Sequence, residues 1–435
     1  MFGETFKSFL VVSFAIIGFF CIFFLNTFFA QNLTADKYGD FSLGVKILLL
    51  INLVCLFGTQ VTSIKFIPKL NHVKLNHFIS WNFSLLKKIL FGTIIIIFPF
   101  FLFVFFSHIF NLYLLHKYHT SVVLLMCLPL VVFFSINCAY ITSKNKAILS
   151  SFLNKIFLYI VLLLFAYLIL HFINVDLNEL SIFIIYILGY GCASLISYIF
   201  VKHYFNHTTF FMKNCELYQD FQNDEYEWFH VSRNVAYAQF AFWGASLIDL
   251  LSLEIFQDNE NIVGCFSACI IITSVYSAVT YSYLKSFLPK ISINIKTDEG
   301  IQTLQKIYNR CFCVGILFVV IISLILFFYH SNILLLFGGI YLQSSNILFL
   351  LSFLGVLTFL FKGPVFMLLY SGHERLVKNS SFYLLLSLIV CCPVAAYFFS
   401  MSGVVIADIL LFSFRYIFIY IKCKSIHKFK FFYFF

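Results

Sequence analysis

Charge is what this sequence has least of. Of its 435 residues only 11% are Asp, Glu, Lys or Arg, against 62% hydrophobic, and the mean hydropathy is +0.98. That balance excludes a soluble globular chain and implies one that meets hydrocarbon along most of its length. The 13 cysteines offer no CxxC pair with metal or redox spacing; Cys127, Cys138, Cys265 and Cys269 fall inside apolar runs and read as small core hydrophobes. No DxD, HExxH, GxSxG or P-loop pattern lies on an aqueous stretch, and no outer loop is large enough for a catalytic domain, so no enzyme site is expected. The net charge of +10 would suit nucleic acid in a soluble domain, but here the bases sit at the ends of apolar spans, which is a topology signal. No nucleic-acid partner is expected. Phe occurs 62 times, alongside abundant Ile, Asn, Lys and Tyr, a bias more like base composition than a set of stacking platforms.

Crossing roughly 30 Å of hydrocarbon takes about 20 apolar residues in a helix. Twelve such windows occur: 8–30, 41–64, 89–110, 120–141, 156–174 and 181–201, then 234–256, 263–287, 311–330, 345–367, 380–399 and 404–421. The fold expected is therefore an all-α polytopic membrane protein. The stretch 203–232 contains no such window and carries Glu216, Asp220, Asp224, Glu225 and Glu227, which cannot enter hydrocarbon. It predicts an aqueous linker between six-helix bundles at 1–202 and 233–435. Placing both termini in the cytoplasm puts every one of the 28 bases except Lys37, Lys46 and Lys117 on the inner side, so the linker is expected inside and the outer loops short. The segment Thr297 to Arg310, with Ile301, Leu304 and Ile307 at helical spacing, predicts an interfacial helix leading into the ninth span.

An internal repeat supports the two blocks. Phe66-Ile67-Pro68-Lys69-Leu70 returns as Phe287-Leu288-Pro289-Lys290-Ile291, Gly39-Asp40-Phe41-Ser42 as Gly264-Cys265-Phe266-Ser267, and Thr142–Lys146 as Ser371–Arg375, at offsets of 221, 225 and 229 residues. Three matches in order at a nearly constant offset are hard to attribute to chance. With an even number of helices in each half, the repeats keep one orientation, and a cleft between two bundles is expected.

Ionisable residues inside spans are the natural place for function, because such charges face a bundle interior or wet cavity. Asp249 lies about 24 Å along the seventh span from Arg233. Gln239, Trp243, Ser246 and Asp249 recur at three- and four-residue spacing, as residues on one helix face do. Asp249 is either a lumen carboxylate for a coupling cation, a proton or substrate hydroxyls, or an interfacial acid solvated with Glu254 and Asp258. Arg415 sits seven residues inside the last span from Lys422, with Asp408 two turns earlier on the same face. It either attracts an anionic headgroup such as a diphosphate or snorkels to the inner interface. The same two readings hold for Lys362, beside Gly363-Pro364. Asn26 and Gln31, carried over by the 225-residue offset, fall near Leu251 and Phe256, so the first and seventh spans both hold polar groups toward their outer ends. Such groups either face one another across the cleft or mark the helix ends.

These motifs together resemble a known family. Gln31 to Leu70, with Tyr38-Gly39-Asp40-Phe41 entering a helix and Ile67-Pro68 leaving it, then Val263–Phe266, Leu288–Ile291, Leu336-Phe337-Gly338 and Gly363-Pro364 through Ser371–Arg375, are similar to the Wzx-type polysaccharide (O-antigen) flippases. That family lies within the multidrug/oligosaccharidyl-lipid/polysaccharide exporter superfamily. The resemblance implies two pseudo-symmetric six-helix bundles that alternate between inward- and outward-facing states in the bacterial inner membrane. It implies an undecaprenyl-diphosphate-linked oligosaccharide as cargo, coupling to protons or sodium without another cofactor, and membrane lipids and other glycan-assembly membrane proteins as partners. Members often carry charges in the first and seventh helices; the first span here has none between Lys7 and its outer end, which moves the burden to Asp249, Arg415 and Lys362. Two competitors remain at this point: a drug/cation antiporter of the same superfamily, with Asp249 as its coupling acid, and a membrane glycan polymerase or ligase, which would need a large outer loop.

Overall fold

The computed structural model describes residues 2–109, 119–144, 146–172, 177–205, 222–257, 259, 261–294 and 297–427, and among these there is no strand. The helices are α1 (Phe2–Asn32), α2 (Ala35–Leu56), α3 (Thr59–Phe66), α4 (His72–Ile109), α5 (His119–Leu125), α6 (Leu128–Ser143), α7 (Ala147–Phe152), α8 (Leu158–Phe172), α9 (Glu179–Tyr204), α10 (Gln222–Phe256), α11 (Asn261–Asn294), α12 (Asp298–Leu335), α13 (Ser345–Tyr370) and α14 (Glu374–His427). Among the described residues each of the twelve expected spans falls mainly on helix. Several helices also run past their spans into polar sequence. α10 begins inside the stretch expected as linker, so Gln222 to Ser232 is helical, and residues 206–221 of that linker lie outside the described residues. α12 absorbs the segment expected as a separate interfacial helix, and starts on an N-cap in which the Thr297 hydroxyl accepts from the Gly300 amide at 3.1 Å. The ends of the chain, Met1 and 428–435, are likewise outside the described residues.

Two expected spans, the second and the fourth, are broken in ways their composition does not announce. Between α2 and α3, Phe57 and Gly58 take φ values of +46° and +73°. A side chain at Gly58 would run into the Ser232 carbonyl oxygen and come within 3.0 Å of the Ala236 amide, so both the left-handed turn and the close approach of α10 require glycine. The fourth span is α5 and α6 joined at Met126-Cys127, ahead of Pro129 in the first turn of α6. A π-helical turn, Leu153–Phe157, separates α7 from α8. α14, at 54 residues, is two helices joined at Ser400 (φ +52°). At 1.5 Å per residue one straight helix of that length would reach about 81 Å, more than twice the hydrocarbon thickness.

By internal contacts the chain divides into two units, Leu43–Phe240, and Met1–Ser42 with Ala241–Phe435. The borders fall inside α2 and α10 rather than at the ends of the sequence halves 1–202 and 233–435. The repeat is a matter of chain order, the units a matter of packing, and α1 packs on α11.

In the Leu43–Phe240 unit, polar side chains bond across helices where hydrocarbon offers no alternative partner. Asn82 donates to the Ser63 hydroxyl at 3.1 Å and to the Tyr140 hydroxyl at 3.0 Å, Asn137 donates to Ser197 at 3.1 Å, and the Thr62 and Ser232 hydroxyls lie 2.7 Å apart. The start of α10 is pinned to α4. Trp228, 2% exposed, packs edge-on against Phe78 with ring centroids 4.9 Å apart and beside Trp81 at 5.6 Å. Lys74 and His77 reach Asp224 and Glu225, each at 2.7 Å. The rings outweigh the Lys74 ion pair, because that pair is half-exposed and worth at most about 1 kcal/mol, whereas emptying a buried Trp site costs about 3–5 kcal/mol. Thermal unfolding in detergent is therefore expected to show a large loss for Trp228→Ala and almost none for Lys74→Ala; the reverse order would mean the ion pair holds this end of α10.

In the other unit, α2 and α11 cross at two glycines. A Cβ on Gly39 would lie 2.9 Å from the Gly264 amide nitrogen, and one on Gly264 would collide with the Ala35 carbonyl oxygen. These are the same glycines that the 225-residue offset equates, so repeat-equivalent positions touch. The outer face of this unit is apolar: Leu317, Val320, Ile321, Leu324 and Phe328 of α12 are all roughly half exposed or more. Only lipid accommodates such a face.

Candidate functional site

Within the Met1–Ser42 and Ala241–Phe435 unit, α10 packs through small residues four apart. Ala241, Ala245 and Leu253 are buried, and Asp249 continues that stripe at 5% exposure. The face expected from the sequence is corrected here. Gln239 and Ser246 are only half-buried, Trp243 is 42% exposed, and the Ser246 hydroxyl turns back to the Trp243 carbonyl at 2.9 Å. Asp249 is alone among those four in facing inward.

What Asp249 meets comes from the α14 hairpin. Cys392 on the first arm donates its thiol to the Asp249 carboxylate at 3.6 Å, and Asp408 on the second arm completes a group whose ligand atoms all lie within 4.8 Å of one another. Asp408 is 3% exposed and Cys392 fully buried. The reading of Asp249 as a solvated interfacial acid is thus overturned, and Asp258, its expected companion, lies outside the described residues. Two carboxylates buried this closely cannot both carry charge without a proton or cation between them. The group can therefore hold and release one positive charge. A hard cation would use the carboxylate oxygens, with the thiol as the poorer ligand; a thiophilic metal would use all three.

The bases form a separate cluster. Lys362 of α13, 5% exposed, places its Nζ 3.7 Å from the centroid of the Phe242 ring and 5.3 Å from that of Tyr281. Arg415, 6% exposed, has its guanidinium carbon 5.6 Å from the Phe242 centroid, and its Nη2 donates to the Ser381 hydroxyl at 2.8 Å. Each head is buried against an aromatic face, which stabilises a cation by about 2 kcal/mol when desolvated. Nε and Nη1 of Arg415 have no hydrogen-bond partner among the described residues. Two like charges so enclosed suit an anion.

Asn26 and Gln31 act otherwise than expected. Asn26 accepts from the Tyr38 hydroxyl at 3.2 Å and donates to the Ile22 carbonyl, while Gln31 donates to the Leu336 carbonyl at 2.7 Å. Asn26 ties α1 to α2 through neighbours close by in the chain, and Gln31 ties α1 to the residue that follows α12, 305 positions away. Cys392, Phe242, Tyr281 and Ser381 were not singled out from the sequence, where each is one apolar or small residue among many.

No family model matches the chain, and no curated protein matches it. Solved structures do. An inward-facing multidrug resistance MATE family transporter of the MOP superfamily superposes with a TM-score of 0.68 at 13% identity, covering 97% of this chain and 99% of that one. An outward-facing structure of a multidrug resistance MATE family transporter gives 0.63 at 10% identity, covering 97% of this chain and 96% of that one. The MATE transporter VcmN of Vibrio cholerae in its bent form gives 0.61 at 13% identity over 97% of this chain and 96% of that one. At such identities the likeness is one of fold. The chain has the twelve-helix fold of the multidrug resistance MATE transporters.

Proposed function

We propose that this chain is a cation-coupled secondary transporter that works by alternating access, exchanging a proton or metal cation at Asp249 and Asp408 for an organic cargo. The observation that carries this is the buried carboxylate pair, which is unstable in hydrocarbon unless it holds positive charge and so must load and unload as access changes. The fold supports it, since similar structures include both inward- and outward-facing forms of multidrug resistance transporters. Multidrug antiport is the reading those neighbours support best. The test is flux in proteoliposomes: under an imposed proton or sodium gradient, uptake of a cationic dye should follow the gradient and release the cation. Dye movement indifferent to both gradients would remove coupling from the account.

A second reading, flipping of an undecaprenyl-diphosphate-linked oligosaccharide from the inner to the outer leaflet of a bacterial inner membrane, has its own support. Lys362 and Arg415 set two buried positive charges near Phe242, which repel an organic cation and attract a diphosphate. A glycan needs such a polar route because each unpaired hydroxyl in hydrocarbon costs kcal/mol. Complementation of a flippase-deficient strain separates the two: restored surface glycan with no dye flux favours the lipid-linked cargo, and the converse favours antiport.

A further inference from the structure

The two arms of α14 run antiparallel, with Cys392 facing Asp408 near the turn at Ser400 and Ser381 facing Arg415 farther from it. Below that second pair the arms leave a groove of about 420 Å³ between them, walled by Asn379, Ser380, Tyr383, Phe414, Arg415 and Phe418. Tyr383 and Phe414 are 69% and 71% exposed, so the groove opens sideways, onto the apolar outer face rather than into the bundle. Arg415 lies about 10 Å along the helix from Lys422, which puts it at hydrocarbon depth. An arginine there is costly unless an anion answers it, and Nε and Nη1 find no partner among the described residues. The ends of both arms away from Ser400 carry further bases, Arg375 and Lys378 on one and Lys422 on the other.

We infer that this groove takes the phosphate head of an anionic bilayer lipid. The head pairs with Arg415 and the hydroxyl and amide groups of Ser380 and Asn379, and the acyl chains lie along Tyr383, Phe414 and Phe418. Charge complementarity selects the head, because a guanidinium fork matches two phosphate oxygens at once. The sideways opening selects the source, since a molecule entering there comes from the membrane. The site lies apart from the coupling acids but shares Arg415 with the lipid-linked cargo of the second reading; loss of phosphatidic acid on Ser387→Phe, which leaves Arg415 in place, separates the two.

Native mass spectrometry of the purified full chain in neutral detergent tests it. Phosphatidic acid is expected to stay bound roughly tenfold more than phosphatidylcholine of the same chains, the discrimination that charge-assisted hydrogen bonds provide. Inorganic phosphate alone should not compete. Arg415→Gln should abolish the preference. Ser387→Phe, a half-buried groove position that leaves Arg415 in place, should abolish retention of phosphatidic acid by filling the space, and decides the matter alone if Arg415→Gln fails to fold. Phosphatidic acid held equally by the wild type and by Ser387→Phe, equal retention of phosphatidylcholine, or displacement by free phosphate would each overturn the assignment.

Discussion

Gly264→Ala is expected to lose about 3 kcal/mol of stability, or fail to accumulate, although it adds one methyl group. The reason is what the methyl meets. Its position falls well inside van der Waals contact distance of the Ala35 carbonyl oxygen and close to the carbon behind it, at 2.9 Å. Both are backbone atoms of α2, and backbone in a packed helix cannot turn aside as a side chain can. Gly39→Ala is the internal control. Its methyl would come no nearer than 2.9 Å to the Gly264 amide and 3.3 Å to the Val263 Cβ, so about 1 kcal/mol is expected there. Thermal unfolding of the detergent-purified variants reads the difference. A melting temperature for Gly264→Ala at or above that of Gly39→Ala would show that α2 and α11 are not in fact so close.

Asp249→Asn and Asp408→Asn are each expected to reduce cation-coupled flux by at least roughly tenfold while leaving the protein folded, since the amide keeps the shape of the carboxylate and removes its charge. The two act as a unit, so the double variant should be little worse than either alone. Cys392→Ser is expected to be much milder, because a hydroxyl still donates to Asp249 and adds no volume. Flux at the wild-type level in either single variant would take that residue out of the mechanism, and additive losses would mean the two carboxylates serve separate steps.

Much of the fold was legible because a span announces itself by length and apolar composition alone, as with Leu158–Phe172 or Glu179–Tyr204. What stayed hidden depends on partners distant in the chain. Nothing around Phe57-Gly58 names the α10 backbone that requires its left-handed turn, and nothing around Lys362 names the Phe242 ring that lets its ammonium remain buried. The site was half legible. Spacing picked out Asp249, Asp408, Lys362 and Arg415 as charges within spans, but it grouped them by helix face, pairing Asp408 with Arg415. Packing instead groups acid with acid and base with base, because the arms of α14 bring different turns to α10. Asn26 bonds to Ile22 and Tyr38, close by in the chain, whereas the partner of Gln31, the Leu336 carbonyl, is as distant in sequence as those of Gly58 and Lys362.

The contact between Gly39 and Gly264 also bears on how a duplicated chain can diverge. Doubling a sequence leaves most positions with a twin elsewhere, each free to take on its own surroundings, as Asp40 and Cys265 have. A position that meets its own twin has no such freedom, because any atom added to one copy takes room from the other. The residues beside that spot differ between the halves, and at the spot itself both carry the one residue without a side chain.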